Sequence, residues 1–372
     1  MEPVVKRDNA VDIAKGIGML FVVAYHLVFR ERAGTADQMI QGAVWLFLPL
    51  FFALSGYTYC AGRRTPLQNI SHRFQNLLLP SMISCCILLV LGGFYFSKTA
   101  FFGWRAWIRD AVHTFLRPEL GVKVIDDAGG VLFHNISPVW FVWTLWWASI
   151  LFYFVADFAL KNAVRFGIVT VGLMTVGTAV YVFVPPTPWS ISLAPVYACM
   201  MLLGAYAGKT KVFQKHKPHA AVAIVEAAVC LAVQAFLFKK FGSDQIYAGQ
   251  LGTAGAWDPV LCYLQLIIGG FGIMQLSGAL QNLSLLRPVA FIGKNSLVFL
   301  LLHCMFGAVA AGILNNPIKT GGQWYISYLK PSVVYKSLFG MVISLCCCTA
   351  VVYGLRFLKS DKFKAMITDE ED

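Results

Sequence analysis

Apolar runs long enough to cross a bilayer follow one another along almost the whole chain, and they constrain the fold more than any other feature of the sequence. A spanning helix takes roughly 20 residues, because each residue rises about 1.5 Å through a hydrocarbon layer about 30 Å thick. Within that layer every backbone N–H and C=O must find a partner inside the protein, which leaves helices and closed barrels. The runs here are continuous rather than alternating, which argues against a barrel. The expected fold is an all-α integral membrane protein, a single bundle of about ten transmembrane helices. The candidate spans lie near 10–29, 40–62, 77–97, 138–158, 164–184, 191–208, 219–238, 257–278, 289–314 and 334–357. Of the 372 residues 58% are hydrophobic and 13% charged; a soluble domain carries about twice that charge. The length is therefore assigned to one membrane domain, residues 1–372.

The net charge of +12 is distributed as membrane topology requires. Lys and Arg cluster in the short links, among them Arg63, Arg64, Lys209 and Lys211, and basic short links lie on the cytoplasmic side. This orientation puts both termini in the cytoplasm and makes nucleic acid an unneeded partner. A leader peptide would need an uninterrupted apolar core, but Asp12 and Lys15 interrupt it, so the first run is expected to stay as a helix. The long segment 98–137 is the exception among the links. Trp104 and Trp107 beside Arg105 and Arg109 suggest an extracytoplasmic loop with an interfacial helix. The ten cysteines fall within apolar runs and lack zinc-site spacing, so they are expected to pack rather than to bind metal.

The first span, "VDIAKGIGMLFVVAYHLVF", is apolar except for Asp12, Lys15 and His26. At about 100° per residue, the step from Lys15 to His26 is three turns plus about 20°, and the two lie about 16 Å apart along one face. Asp12 and Asp8 continue that face toward the N-terminus. Ionisable groups in hydrocarbon face the bundle interior or a water-filled cavity. Two readings follow: a structural Asp12–Lys15 pair with His26 capping the helix, or a polar cavity with His26 as its reactive group. An imidazole titrating near pH 6.5 suits general-base work at neutral pH.

Other spans carry milder versions of this pattern. The second contains Pro49 and the pair Ser55-Gly56, which permit a kink or a close helix approach. It is followed by Arg63, Arg64, His72 and Arg73, a basic patch able to hold phosphates or simply the expected cytoplasmic charge. The fourth opens with Trp140, Trp143, Trp146 and Trp147. The ninth places Ser296 and His303 seven residues apart on one face, with Asn295 nearby.

Together these stretches resemble the membrane-bound acyltransferase family 3, most closely its fucose 4-O-acetylase-like branch in stand-alone form. The basic residue, ten residues and then His of that family appear as Lys15 to His26, preceded by Asp12 and followed by Gly16. Its Pro-Leu-Phe-Phe run ending Ser-Gly-Tyr appears as Pro49 to Tyr57, and its basic approach ending Leu-Leu-Pro as Arg73 to Pro80. Its Trp-Phe stretch appears as Trp140-Phe141, and its late Gly-x-Asn-Ser-Leu followed by His as Gly293 to His303. Many members have two basic residues three apart before helix three; here the positions hold Arg73 and Asn76.

The resemblance implies acyl transfer from acyl-CoA, most simply acetyl-CoA used as a co-substrate, to a carbohydrate hydroxyl of a surface or lipid-linked glycan. No tightly bound cofactor and no metal are implied, and the bacterial cytoplasmic (inner) membrane is the implied location. His26 would be the general base, with Asp12, Lys15, His303, Ser296 and Asn295 as further catalytic candidates. Lys15, Arg63, Arg64, His72 and Arg73 would meet the donor, and Trp140, Tyr57 and Ser55 the substrate. Oxyanion donors remain open among Ser296, Asn295, Tyr57 and Trp140. A secondary transporter also carries charges at mid-membrane, but it would often show inverted repeats, and none is visible. A non-catalytic receptor or scaffold would have no need of the ionisable stripe.

Overall fold

The computed structural model describes residues 8–28, 34–87, 123–125, 131–134, 139–185, 187–216, 219–241, 257–315 and 333–358. The interfacial helix expected around Trp104–Arg109 lies outside them. In chain order the helices are α1 (Asn9–Val28), α2 (Gly34–Tyr57), α3 (Pro66–Arg73), α4 (79–87) and α5 (Val139–Ala159). They continue with α6 (Ala163–Phe183), α7 (Ala194–Thr210), α8 (Ala220–Phe241), α9 (Asp258–Leu280), α10 (Arg287–Lys294), α11 (Ser296–Asn315) and α12 (Val333–Leu358). The 98–137 segment contributes a small antiparallel ribbon, β1 (Lys123–Ile125) with β2 (Val131–His134).

Among the described residues six helices are long and apolar enough to cross a membrane, or seven if a bent pair is taken as one span. The chain is thus a helical integral membrane protein. Helix α1 owes its polarity to the ionisable groups already noted, and the described apolar part of α2 is the shorter stretch Leu46–Tyr57. Large apolar side chains on α6, including Val164, Ile168, Val171 and Phe183, point outward. An exposed apolar face is what lipid contact requires.

The continuous ninth span expected at 289–314 is corrected by the structure. It breaks at Asn295, and the two halves, α10 and α11, meet at a bend of 83°. Asn295 has φ −112° and ψ 23°, outside the helical region. Its Nδ2 donates to the Phe291 carbonyl at 2.7 Å, and its Oδ1 accepts from Arg356 Nη2 at 3.3 Å. Asparagine side chains compete with the helix for backbone partners in this way.

Helix α1 is the hub, packed against α2, α9, α10, α11 and α12. Its crossing with α10 leaves no room for side chains. A Cβ added at Gly293 would sit 1.8 Å from the Asp12 carbonyl oxygen and 2.6 Å from the Gly16 nitrogen. A second close crossing joins α2 to α7, where Cβ atoms at Gly56 and Gly204 would meet the carbonyls of Met201 and Ala53 at 1.8 and 1.9 Å. Gly204 and Gly208 form a G-x-x-x-G pair, which lets helix backbones touch where lipid supplies no hydrophobic drive. Beneath it Phe52 stacks on the fully buried Tyr197, ring centroids 3.9 Å apart.

The link from α2 to α3 is held at both ends. Thr65 and Gln68 form a capping box at the start of α3, with Pro66 in its first turn. The Asp157 carboxylate of α5 accepts from Tyr59 Oη at 2.7 Å and from the Gly62 amide at 3.3 Å. Partial burial, and next the bond and charge of Asp157, raise the Tyr59 pKa, so the phenol stays protonated as a donor. Replacing Tyr59 with Phe should remove this tether and lower stability by about 1 kcal/mol, read as a reduced melting temperature in detergent.

Candidate active site

Asp8, Asp12, Lys15, Met19, Val22 and His26 succeed one another at steps of four and three, one stripe of α1. The stripe lines two cavities in turn. The first is about 700 Å³ and is bounded by Asp8, Asp12, Lys15, Tyr57, Tyr59, Lys209 and Lys211. The second is about 170 Å³ and is bounded by Lys15, Met19, Val22, Ser55, Arg73, Phe141 and Ser296. Lys15 belongs to both, so the charge that is costly in hydrocarbon faces cavity space on either side.

Arg73 lines the second cavity and stands at a local change in helix type. Directly after it, Phe74–Leu78 form a π-helical turn. Such turns are uncommon and concentrate at functional sites. The Arg73 guanidinium donates to Ser55 Oγ across the cavity. It thus leaves the surface patch in which the sequence placed it with Arg63 and Arg64. His72 stays exposed, and slight burial, then the cations Arg64, Arg73 and Arg63, lower its pKa. At neutral pH the neutral form of His72 is therefore favoured, and Arg63 and the half-buried Arg64 are the remaining cations of this patch. Lys209 and Lys211, counted from sequence only as topology signals, line the first cavity; Lys209 Nζ donates to the Leu160 carbonyl.

One turn beyond the second cavity, the last residue of the stripe meets α11. The rings of His26 and His303 lie 5.2 Å apart between centroids, and Tyr25 packs edge-on against His26 at 5.2 Å. His303 is fully buried. Its Nδ1 lies 2.8 Å from the Phe299 carbonyl oxygen. A carbonyl only accepts, so Nδ1 carries the proton and Nε2 keeps its lone pair. Cys304 Sγ lies 3.3 Å from that Nε2. Ser344 Oγ of α12 donates to the His303 carbonyl at 2.9 Å and ties this part of α11 to the bundle.

The remaining candidates divide. Ser296, the first residue of α11, lines the second cavity. Asn295 is engaged at the helix break, and Asp12 lines the first cavity. Tyr57 also lines the first cavity, its ring 5.9 Å from Phe213. Phe141 bounds the second cavity, while the neighbouring Trp140 ring contacts Phe141 edge-on at 6.1 Å. Cys304 had no signal in the sequence beyond its position beside His303.

The model of the acyltransferase domain of family 3 matches residues 8–353, nearly the whole chain. No curated protein matches it.

Proposed function

The chain belongs to the acyltransferase-3 family, and from that premise we propose that it is a membrane O-acyltransferase of the fucose 4-O-acetylase-like branch. It moves acetyl from acetyl-CoA to a carbohydrate hydroxyl on a surface or lipid-linked glycan, in a bundle of about ten spans with both termini in the cytoplasm. The membrane is the bacterial cytoplasmic one. The observation that carries this reading is the α1 stripe: two cavities share Lys15 and lead toward the paired imidazoles of His26 and His303.

In this mechanism Arg63, Arg64, Lys209 and Lys211 meet the donor's phosphates, and the pantetheine arm passes Lys15 toward the second cavity. Lys15 and Arg73 keep that passage polar, and Ser296 and Ser55 offer hydroxyl donors to the developing oxyanion. The acceptor hydroxyl attacks the thioester carbonyl while His26 takes its proton. The C–O bond forms, the C–S bond breaks, and the proton passes from His26 to the departing thiolate. His303, its tautomer set by Phe299, positions His26. Transfer is direct, with donor and acceptor bound together.

The test supplies membranes with acetyl-CoA labelled in its acetyl group. Label is followed into lipid and glycan fractions, with free thiol as the second readout. Label in a glycan fraction together with thiol release is expected. Solute movement with neither label nor thiol would instead make the protein a transporter. Within the donor site, Arg64→Ala should raise KM for acetyl-CoA by about tenfold or more, the value of a charge-assisted hydrogen bond to phosphate. His72→Ala should leave KM near its original value at pH 7, because the lowered pKa favours the neutral imidazole there. Equal effects of the two would remove the distinction.

A further inference from the structure

His26, His303 and Cys304 come from two helices far apart in sequence, yet one ligand atom from each lies within 4.8 Å of the others. We propose that these three side chains form a binding site for one soft divalent transition ion of the zinc class. Zinc takes imidazole nitrogen at about 2.0–2.1 Å and thiolate sulfur at about 2.3 Å, so tetrahedral ligand atoms stand roughly 3.3–3.6 Å apart. The Cys304 Sγ to His303 Nε2 separation of 3.3 Å already meets that spacing. The His26 ring approaches from α1, and its ligand atom, within 4.8 Å of the other two, moves inward by up to about 1.5 Å to close the triangle.

The surroundings of His303 suit the assignment. Metal-bound imidazoles commonly donate their other ring N–H to a carbonyl or carboxylate, which sets tautomer and orientation. His303 does this through Nδ1 to Phe299. The combination of imidazole and thiolate selects zinc, copper or cobalt over magnesium or calcium. His26 is partly exposed, which gives an ion a way in. Binding expels the Cys304 thiol proton. Two neutral imidazoles and one thiolate then leave one position open to water. Without an ion the same atoms would form a neutral pair, Cys304 S–H donating to His303 Nε2.

The consequence for catalysis rests on the acyl-transfer reading: a bound ion takes the lone pair with which His26 would accept the hydroxyl proton, so the ion inhibits. Binding itself does not depend on that reading. The test uses the purified full chain in detergent, stripped with chelator and titrated with Co²⁺. Saturation at one ion per chain is expected, with a thiolate-to-cobalt charge-transfer band and the strong visible bands of a four-coordinate ion. Cys304→Ser should lose the charge-transfer band, and His26→Gln should weaken Co²⁺ binding by more than about tenfold, since even outer ligand partners cost about 10–100-fold. Cys346→Ser, at an exposed cysteine, should keep the band. Absence of the band from the parent protein, or its persistence in Cys304→Ser, would overturn the site. In the transfer assay Zn²⁺ should inhibit, and Cys304→Ser should resist, each variant scaled to its own activity in chelator. A protein inactive toward acetyl-CoA would defeat the transfer reading and leave the cobalt result standing.

Discussion

Replacing His26 with alanine should lower acetyl transfer by on the order of 10²–10⁴-fold, the usual contribution of a positioned general base. A sugar hydroxyl is a weak nucleophile until its proton has somewhere to go. His26 stands at the far end of the α1 stripe, beside His303 and beyond the second cavity. The groups proposed to bind the donor lie near the other end, around Lys15 and the first cavity. Loss of the base should therefore lower kcat and kcat/KM together and leave acetyl-CoA binding near its original strength. His26→Gln keeps a hydrogen-bonding amide without a basic nitrogen and should be as inactive as the alanine variant. Both proteins should elute from size exclusion like the parent, since His26 is only partly buried. Parental rates of labelled transfer in either variant would remove His26 from the mechanism.

The second large effect is expected at a helix crossing, at Gly293. A valine there must displace backbone rather than a flexible side chain, because its Cβ would lie 1.8 Å from the Asp12 carbonyl oxygen. Overpacking of this kind costs about 1–3 kcal/mol, and each kcal/mol lowers the melting temperature by about 2–4 °C in chains of a few hundred residues. The damage should reach the site as well. α1 carries Lys15 and His26, and α10 leads through Asn295 into α11, which carries Ser296 and His303. Forcing α1 and α10 apart moves the two halves of the site relative to one another. Gly293→Val should therefore show a depressed melting temperature and reduced transfer together. Gly278→Ala and Gly340→Ala are the matched controls, since a Cβ at either meets nothing within 4 Å. They should be neutral or slightly stabilising, because alanine is the better helix former by up to about 1 kcal/mol. Melting temperatures that fall equally in all three would contradict the crossing as the cause.

These two residues differ in how readable they are. His26 announces itself in the sequence, because an ionisable group within an apolar run needs a reason to be there. Gly293 does not. A glycine in a membrane helix marks a close approach only when its partner is known, and that partner is Gly16 and the Asp12 carbonyl, about three quarters of the chain away. The π turn after Arg73 was equally hidden. It directly follows Arg73, whose guanidinium meets Ser55. Residue types around position 73 contain no signal for a helix that gains one residue per turn locally.

The break at Asn295 shows the limit of hydropathy. Composition across 289–314 is that of one span, and an average over a window is indifferent to a single asparagine bond to Phe291. The bend of 83° nonetheless decides where Ser296 and His303 stand. By itself the sequence determined a helical membrane protein, its candidate spans, and the polar stripe of α1, because hydrocarbon penalises charge locally and helical periodicity is a property of neighbours. The tertiary structure alone decided that Lys15 joins two cavities, that Arg73 turns inward, and that His26, His303 and Cys304 meet. Those facts depend on glycine contacts and helix bends between residues distant in the chain, and such contacts leave no periodic trace in the order of residues.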